Sequence, residues 1–208
     1  MAYDACALSR APLGFHSRSL RLPDTGMDEQ FEFLRTIVSR LVAENIPYML
    51  TGSLALAIWA RPRMTRDVDV VIEAGPEAVN RLVAVFSGDC YVSADAAHTA
   101  AVERTMFNVI HLPTLLKADF IVRRDEPYET AKFARRRAVD LEGLTAFVIS
   151  PEDLILSKLQ WAQGTGSVRQ VEDVRLLLRD LRDLDRAYLE RWASTLHVIE
   201  ALREADAI

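Results

Sequence analysis

Cysteine is nearly absent. The 208-residue chain holds two, Cys6 and Cys90, at no metal-ligand spacing, which excludes a disulfide framework and points to a reducing, intracellular setting. Histidine is scarce as well, with four, and His98 and His111 lack a partner at ligand spacing, so both read as surface or structural residues. No apolar run approaches the ~20 residues needed to cross a bilayer. The opening MAYDACALSRAPLGF has no basic region followed by a long apolar one,. The chain is therefore expected to be cytoplasmic and to make no use of a membrane. Positive charge is in deficit, with 25 Lys and Arg against 30 Asp and Glu and a net charge of -5. That excludes a surface that coats nucleic acid by charge alone, but it leaves room for a local basic groove. Such a groove could draw on Arg61, Arg63 and Arg66, or on Arg123 and Arg124; the run Arg135, Arg136 and Arg137 reads as a solvated face.

What is present is apolar residue, half of the chain, enough for one full core or a core with a small appended domain. Residues 1–27 form an irregular arm, broken by Pro12, Gly14, Pro23 and Gly26. From Asp28 the spacing of Phe31, Phe33, Leu34, Ile37, Val38, Leu41 and Val42 predicts an amphipathic helix ending near Asn45. Pro76 opens another, over Glu77 to Phe86. Residues 88–105 show no clear period. Strands are expected at Met106–Leu112 and Leu115–Val122, as antiparallel neighbours, then a helix over Pro127–Arg137. A hairpin turn at Glu142-Gly143 should join strands at Ala138–Leu141 and Leu144–Ile149. Ser150-Pro151-Glu152-Asp153 has the cap, proline and acids of a helix start. Beyond it only helices are expected, over Glu152–Gln163, Val168–Leu181 and Asp185–Ala205. The division is thus an arm at 1–27, an α/β core at 28–150 and a helical part at 151–208.

The stretch Tyr48–Ile72 organises the rest. Tyr48–Leu50 ends an apolar strand, Gly52-Ser53 is a turn, and Leu54–Ala60 is rich in helix formers. A strand-to-helix junction of this kind suits a phosphate, because glycine permits close backbone approach and the first helical N–H groups are unpaired. Its plainer reading is an ordinary turn. Asp67 and Asp69 then sit in the β-branched run to Ile72 and point to one side of a strand, roughly 6–7 Å apart. Paired carboxylates repel unless a cation lies between them, and a hard divalent ion with oxygen ligands is the usual answer. Asp119, in the middle of LLKADFIV, offers a third ligand from an adjacent strand; its plainer reading is a carboxylate paired with Lys117. Lys158 lies among Leu154, Leu156, Leu159 and Trp161, and Arg169 and Asp173 share a helix face. Their plainer readings are a snorkelling lysine and a helix ion pair.

Gly52, Ser53, Asp67, Asp69 and Asp119 together resemble the minimal pattern of the nucleotidyltransferase superfamily. Arg63-Met64-Thr65-Arg66-Asp67-Val68-Asp69, SPEDLILSKL and RQVEDVRLLL are similar to its abortive-infection-type (AbiEii-like) toxin branch, over about residues 30–181. The resemblance implies an α/β (α+β) fold, a mixed sheet with flanking helices, and a C-terminal helical part closing over the nucleotide. It also implies Mg2+ or Mn2+ as cofactor and transfer of a nucleoside monophosphate from an NTP, with release of pyrophosphate. Family roles then place the triphosphate on Gly52, Ser53, Arg63, Arg66, Lys158 and Asp173, with metal on Asp67, Asp69 and Asp119. Catalysis falls to the three aspartates and Lys158. The expected acceptor is tRNA or another RNA, with an antitoxin protein as partner. The alternatives are nucleotidylation of a protein or of a small molecule such as an antibiotic, and a non-catalytic module that binds nucleotide or a partner.

Overall fold

The computed structural model describes residues 27–60 and 67–207. Helix α1 (Met27–Ala43) buries Phe33, Leu34, Ile37, Val38 and Leu41, the inward stripe the sequence predicts, while Val42 at its edge stays exposed,. Asn45 takes a left-handed φ of 54° and leads the chain towards β1 (Tyr48–Leu50); asparagine tolerates this region better than most side chains. Next come α2 (Gly52–Trp59), β2 (Asp67–Ile72) and α3 (Pro76–Phe86), which buries Val79, Leu82 and Phe86. This is the strand–helix–strand–helix opening expected of a mixed α/β sheet.

The stretch without a readable period contains two elements, β3 (Cys90–Val92) and α4 (Ala94–Glu103). Three residues are too few to show alternation. The helix buries only Ala97, Ala100 and Ala101, and alanine gives too little apolar contrast to mark a face. What starts it is local chemistry, since Ser93 Oγ accepts from the Ala96 N–H at 3.3 Å,.

Strands β4 (Met106–His111) and β5 (Lys117–Val122) are antiparallel neighbours as expected. Leu115, at a φ of 57°, belongs to the turn between them, so β5 starts at Lys117. Helix α5 (Pro127–Ala134) stops short of the expected end, and Arg137 instead opens β6 (Arg137–Leu141), paired with β7 (Leu144–Val148). Glu142 and Gly143 both have positive φ, 51° and 84°, as a two-residue hairpin requires, and the Gly143 N–H donates to Asp140 Oδ1 at 3.0 Å. The three arginines before the hairpin are not a solvated face. Arg135 lies 3.9 Å over the Tyr188 ring, Arg136 is wedged against Phe133 and Phe147, and Arg137 pairs with Glu152 at 3.1 Å.

Among the described residues, seven strands form one mixed sheet in the order β3-β4-β5-β2-β1-β7-β6. The parallel contacts are β2 with β5 and β1 with β7. The hydrophobic core runs from the sheet through Leu154, Ile155, Leu156 and Leu159 of α6 (Pro151–Thr165) to Val174 and Leu177 of α7 (Val168–Asp180). The expected third helix is two, α8 (Arg186–Thr195) and α9 (Ile199–Asp206), parted where His197 takes a φ of 58°. Among the described residues no helix is long and apolar enough to cross a membrane. His98 is exposed, and His111 stacks on Phe33 with Nδ1 2.7 Å from Thr114 Oγ1.

Candidate active site

At the end of β1, the Thr51 N–H donates to the Asp69 carbonyl at 2.9 Å, which locks the two strands together where the site begins. Gly52 comes next, with a φ of 64°. A Cβ built there would lie 1.9 Å from Asp69 Oδ2 and 2.7 Å from its Cγ. Glycine is thus required twice, for its backbone angle and for the space a carboxylate fills. Helix α2 already includes Gly52 and Ser53 rather than starting after them. The first intrahelical bond is that of the Ala55 N–H to Thr51 O, at 3.3 Å, so the N–H groups of residues 52–54 lie ahead of the intrahelical ladder, at the positive end of the helix. Buried Ala55, Leu56 and Ile58, with Trp59 Nε1 donating to Ile149 O at 2.8 Å, seat this helix on the core.

Strand β2 alternates as predicted: Asp67 is exposed, Val68 fully buried and Asp69 half-buried. The parallel register with β5 sets Asp67 beside Lys117 and Asp69 beside Asp119. The structure therefore brings Asp67, Asp69 and Asp119 to one face. Burial raises the Asp69 pKa, and the charges of Asp119 and Asp67 raise it further; Lys117 and Lys158 pull the other way,. Among the described residues no donor reaches the Asp69 carboxylate. Asp119 is better served, accepting from Lys117 Nζ at 3.1 Å on Oδ2 and from the Asn108 amide on Oδ1. The pairing with Lys117, the plainer reading of Asp119, is thus present within the acid cluster. Asn108 carries no sequence signal of its own, although its even spacing in β4 and its register opposite Asp119 place a polar group on this face.

Lys158 does not snorkel. It is 4% exposed, and its ammonium donates to Asp173 Oδ2 at 2.7 Å and Gln170 Oε1 at 2.9 Å. Asp173 thus pairs across two helices, from α7 to α6, rather than only along its own. Both helices pack against α2, and the positive charge of Lys158 acts to lower the Asp69 pKa. Trp161, one turn on, is exposed and not part of the apolar surroundings of Lys158. Arg63 and Arg66 lie outside the described residues.

Among the described residues no three His, Cys, Asp or Glu side chains close into a metal-ligand group: the three aspartates share a face without converging. The donor set nevertheless fits a hard cation. All three are carboxylates, and the Asp69 pKa is raised by burial first and by its like-charged neighbours second. Mg2+ in particular is held by one or two carboxylates, waters and substrate phosphates rather than by an all-protein cage.

Two solved structures share this fold. An antigenic nucleotidyltransferase-like protein from Paracoccidioides brasiliensis superposes with a TM-score of 0.59 at 18% identity, covering 85% of this chain and 93% of the other. The antibiotic-resistance factor ANT(2'')-Ia, solved in complex with adenylyl-2''-tobramycin, gives 0.56 at 17%, covering 81% and 97%. No curated protein matches the chain. The class is settled by residues 34–207, which match the family described as nucleotidyl transferase AbiEii toxin, type IV toxin–antitoxin system. The chain belongs to that family and is a nucleotidyltransferase.

Proposed function

We propose that the enzyme moves a nucleoside monophosphate from a nucleoside triphosphate to an acceptor hydroxyl on tRNA, releasing pyrophosphate, in a Mg2+- or Mn2+-dependent reaction. In this reading it acts as the toxin of a pair with an antitoxin protein. The observation that carries it is the seating of the Asp69 carboxylate against Gly52, at the start of α2, with Asp119 beside it in register. This supports a reading in which the triphosphate and the cation are bound at one junction.

Asp67 and Asp69 would hold the divalent cation, with Asp119 as a further ligand. The bound cation supplies positive charge to phosphoryl oxygens and lowers the pKa of an attacking hydroxyl. The N–H groups of Gly52 and Ser53 bind triphosphate oxygens. Lys158 neutralises phosphate charge from the helical side, sharing its ammonium with Asp173 and Gln170, which fix its direction. Arg63 and Arg66 are assigned to the triphosphate by sequence position alone. Asp119 takes the proton as the acceptor oxygen bonds to the α-phosphorus and the bond to the pyrophosphate oxygen breaks. Most of the rate then comes from positioning and fixed charge.

The acidic net charge of -5 favours a second reading, with the same chemistry on a protein hydroxyl or a small molecule. Incubation with Mg2+, each of four α-labelled nucleoside triphosphates, and total RNA separates the two. Label on RNA, lost in Asp69→Ala, supports the first; label on a small molecule or on protein, with none on RNA, selects the second.

A further inference from the structure

Lys117 opens β5 at the register position of Asp67, and the pleat puts it on the same face as Asp119,. Its ammonium lies 3.1 Å from Asp119 Oδ2 and 3.9 Å from Asp67 Oδ1, so one side chain spans the two strands that carry the acids. The Asn108 amide occupies Asp119 Oδ1, so Lys117 holds the other oxygen, Oδ2. The lysine side chain is 38% exposed, so it is not locked in place by packing.

These are the carboxylates assigned above to a divalent cation. An ammonium and a divalent ion repel, and they would compete for the same lone pairs. We propose that Lys117 is a built-in competitor of that cation: it holds Asp67 and Asp119 together in the cation-free enzyme and is released from them when the cation binds. Release delivers a free ammonium beside Asp67, where it is available to the triphosphate. The inference rests on Asp67 and Asp69 being cation ligands.

The test is Mn2+ binding, monitored by loss of the free-ion EPR signal, with melting temperatures taken with and without Mn2+. The proteins are wild type, Lys117→Met, Lys117→Gln, Lys117→Arg and Asp69→Ala, each shown folded by circular dichroism. Removing the ammonium should tighten Mn2+ binding roughly fivefold in Lys117→Met and Lys117→Gln, whereas Lys117→Arg stays near wild type. The cation-free melting temperature of the Met and Gln variants should fall and recover with Mn2+. Mn2+ affinity that is unchanged or weaker in both variants, with wild type binding well, overturns the competitor role alone. No binding to any of the proteins, or wild-type binding by Asp69→Ala, overturns the cation assignment beneath it.

Discussion

Two acid clusters in this molecule look alike in composition and differ in what surrounds them. At the start of α6, Glu152 and Asp153 are 1% and 0% exposed, far more buried than Asp69. Yet Asp153 accepts from Ser150 Oγ at 2.6 Å and from Tyr188 OH at 2.7 Å, with Arg135 Nε 3.6 Å away. Glu152 faces Arg137 at 3.1 Å, Arg135 at 3.5 Å and the Asp185 N–H at 3.1 Å. Burial is the first cause of a raised pKa for both Asp153 and Asp69. The lesser causes separate them: hydrogen bonds from Ser150 and Tyr188 oppose the shift at Asp153, whereas further carboxylates reinforce it at Asp69. The first cluster is complete within the chain and joins α8 to α6. In the second, among the described residues no hydrogen-bond donor offsets the burial of Asp69, a carboxylate suited to a partner from outside.

The sharpest break of that comparison is to neutralise one acid in each cluster. Asp69→Asn should lower label transfer by roughly a thousandfold or more while leaving the melting temperature unchanged or higher, because it relieves repulsion by Asp67 and Asp119. Asp153→Ala should do the reverse. It should cost about 3–5 kcal/mol in denaturant titration, the penalty for breaking a buried charged network, with little change in the rate per folded molecule. Equal losses of stability in the two variants would show that both clusters are scaffold.

Gly52→Ala probes the seam between structure and chemistry. Its methyl group meets the Asp69 carboxylate and its backbone would be held at a positive φ, which together cost about 1–3 kcal/mol and also displace the carboxylate. In an Asp69→Ala background the carboxylate clash is gone, leaving the backbone penalty and a tight 3.1 Å approach to the remaining Cβ. The stability cost of Gly52→Ala measured there should therefore be smaller, a coupling that a double-mutant cycle reads directly. Additive costs would mean that Gly52 serves the turn alone.

How far each cluster can be read from the sequence depends on the same contrast. Asp67, Asp69 and Asp119 stand out because a carboxylate in an apolar strand breaks a pattern, and strand alternation then fixes the face it occupies. The alternating strands, the α1 stripe and the Glu142-Gly143 turn are legible for the same reason: period and turn chemistry are local. Glu152 and Asp153 read as ordinary first-turn acids, since their partners Arg135, Arg137 and Tyr188 arrive from β6, α8 and the loop after α5, and nothing local announces such a meeting. The pairing of Lys158 with Asp173 is non-local too, and spacing alone suggests a pair within α7. Alanine-rich α4 escapes because it lacks contrast, and the split of α8 from α9 because a histidine in the left-handed region carries no turn signal.

The smallest effect belongs to a third charged corner, where a satisfied pair is only half-sheltered. Arg40 donates through both terminal nitrogens to the two Asp89 oxygens, each at 2.7 Å, and lies 4.7 Å over the Phe86 ring, tying α1 to the turn before β3. The hydrogen bond from Arg40 is the main cause that lowers the Asp89 pKa, against a smaller push upwards from burial. A folded pKa below the unfolded value of about 3.9 means that the pair's contribution is fully present above that value and is lost as pH falls through the folded pKa. Asp89→Asn should therefore cost about 0.5–1 kcal/mol at neutral pH, with the gap to wild type closing in melts taken at progressively lower pH below about 4. A gap that persists in acid would assign the cost to lost packing of the arginine on Phe86, and this corner would then hold together by contact rather than by charge.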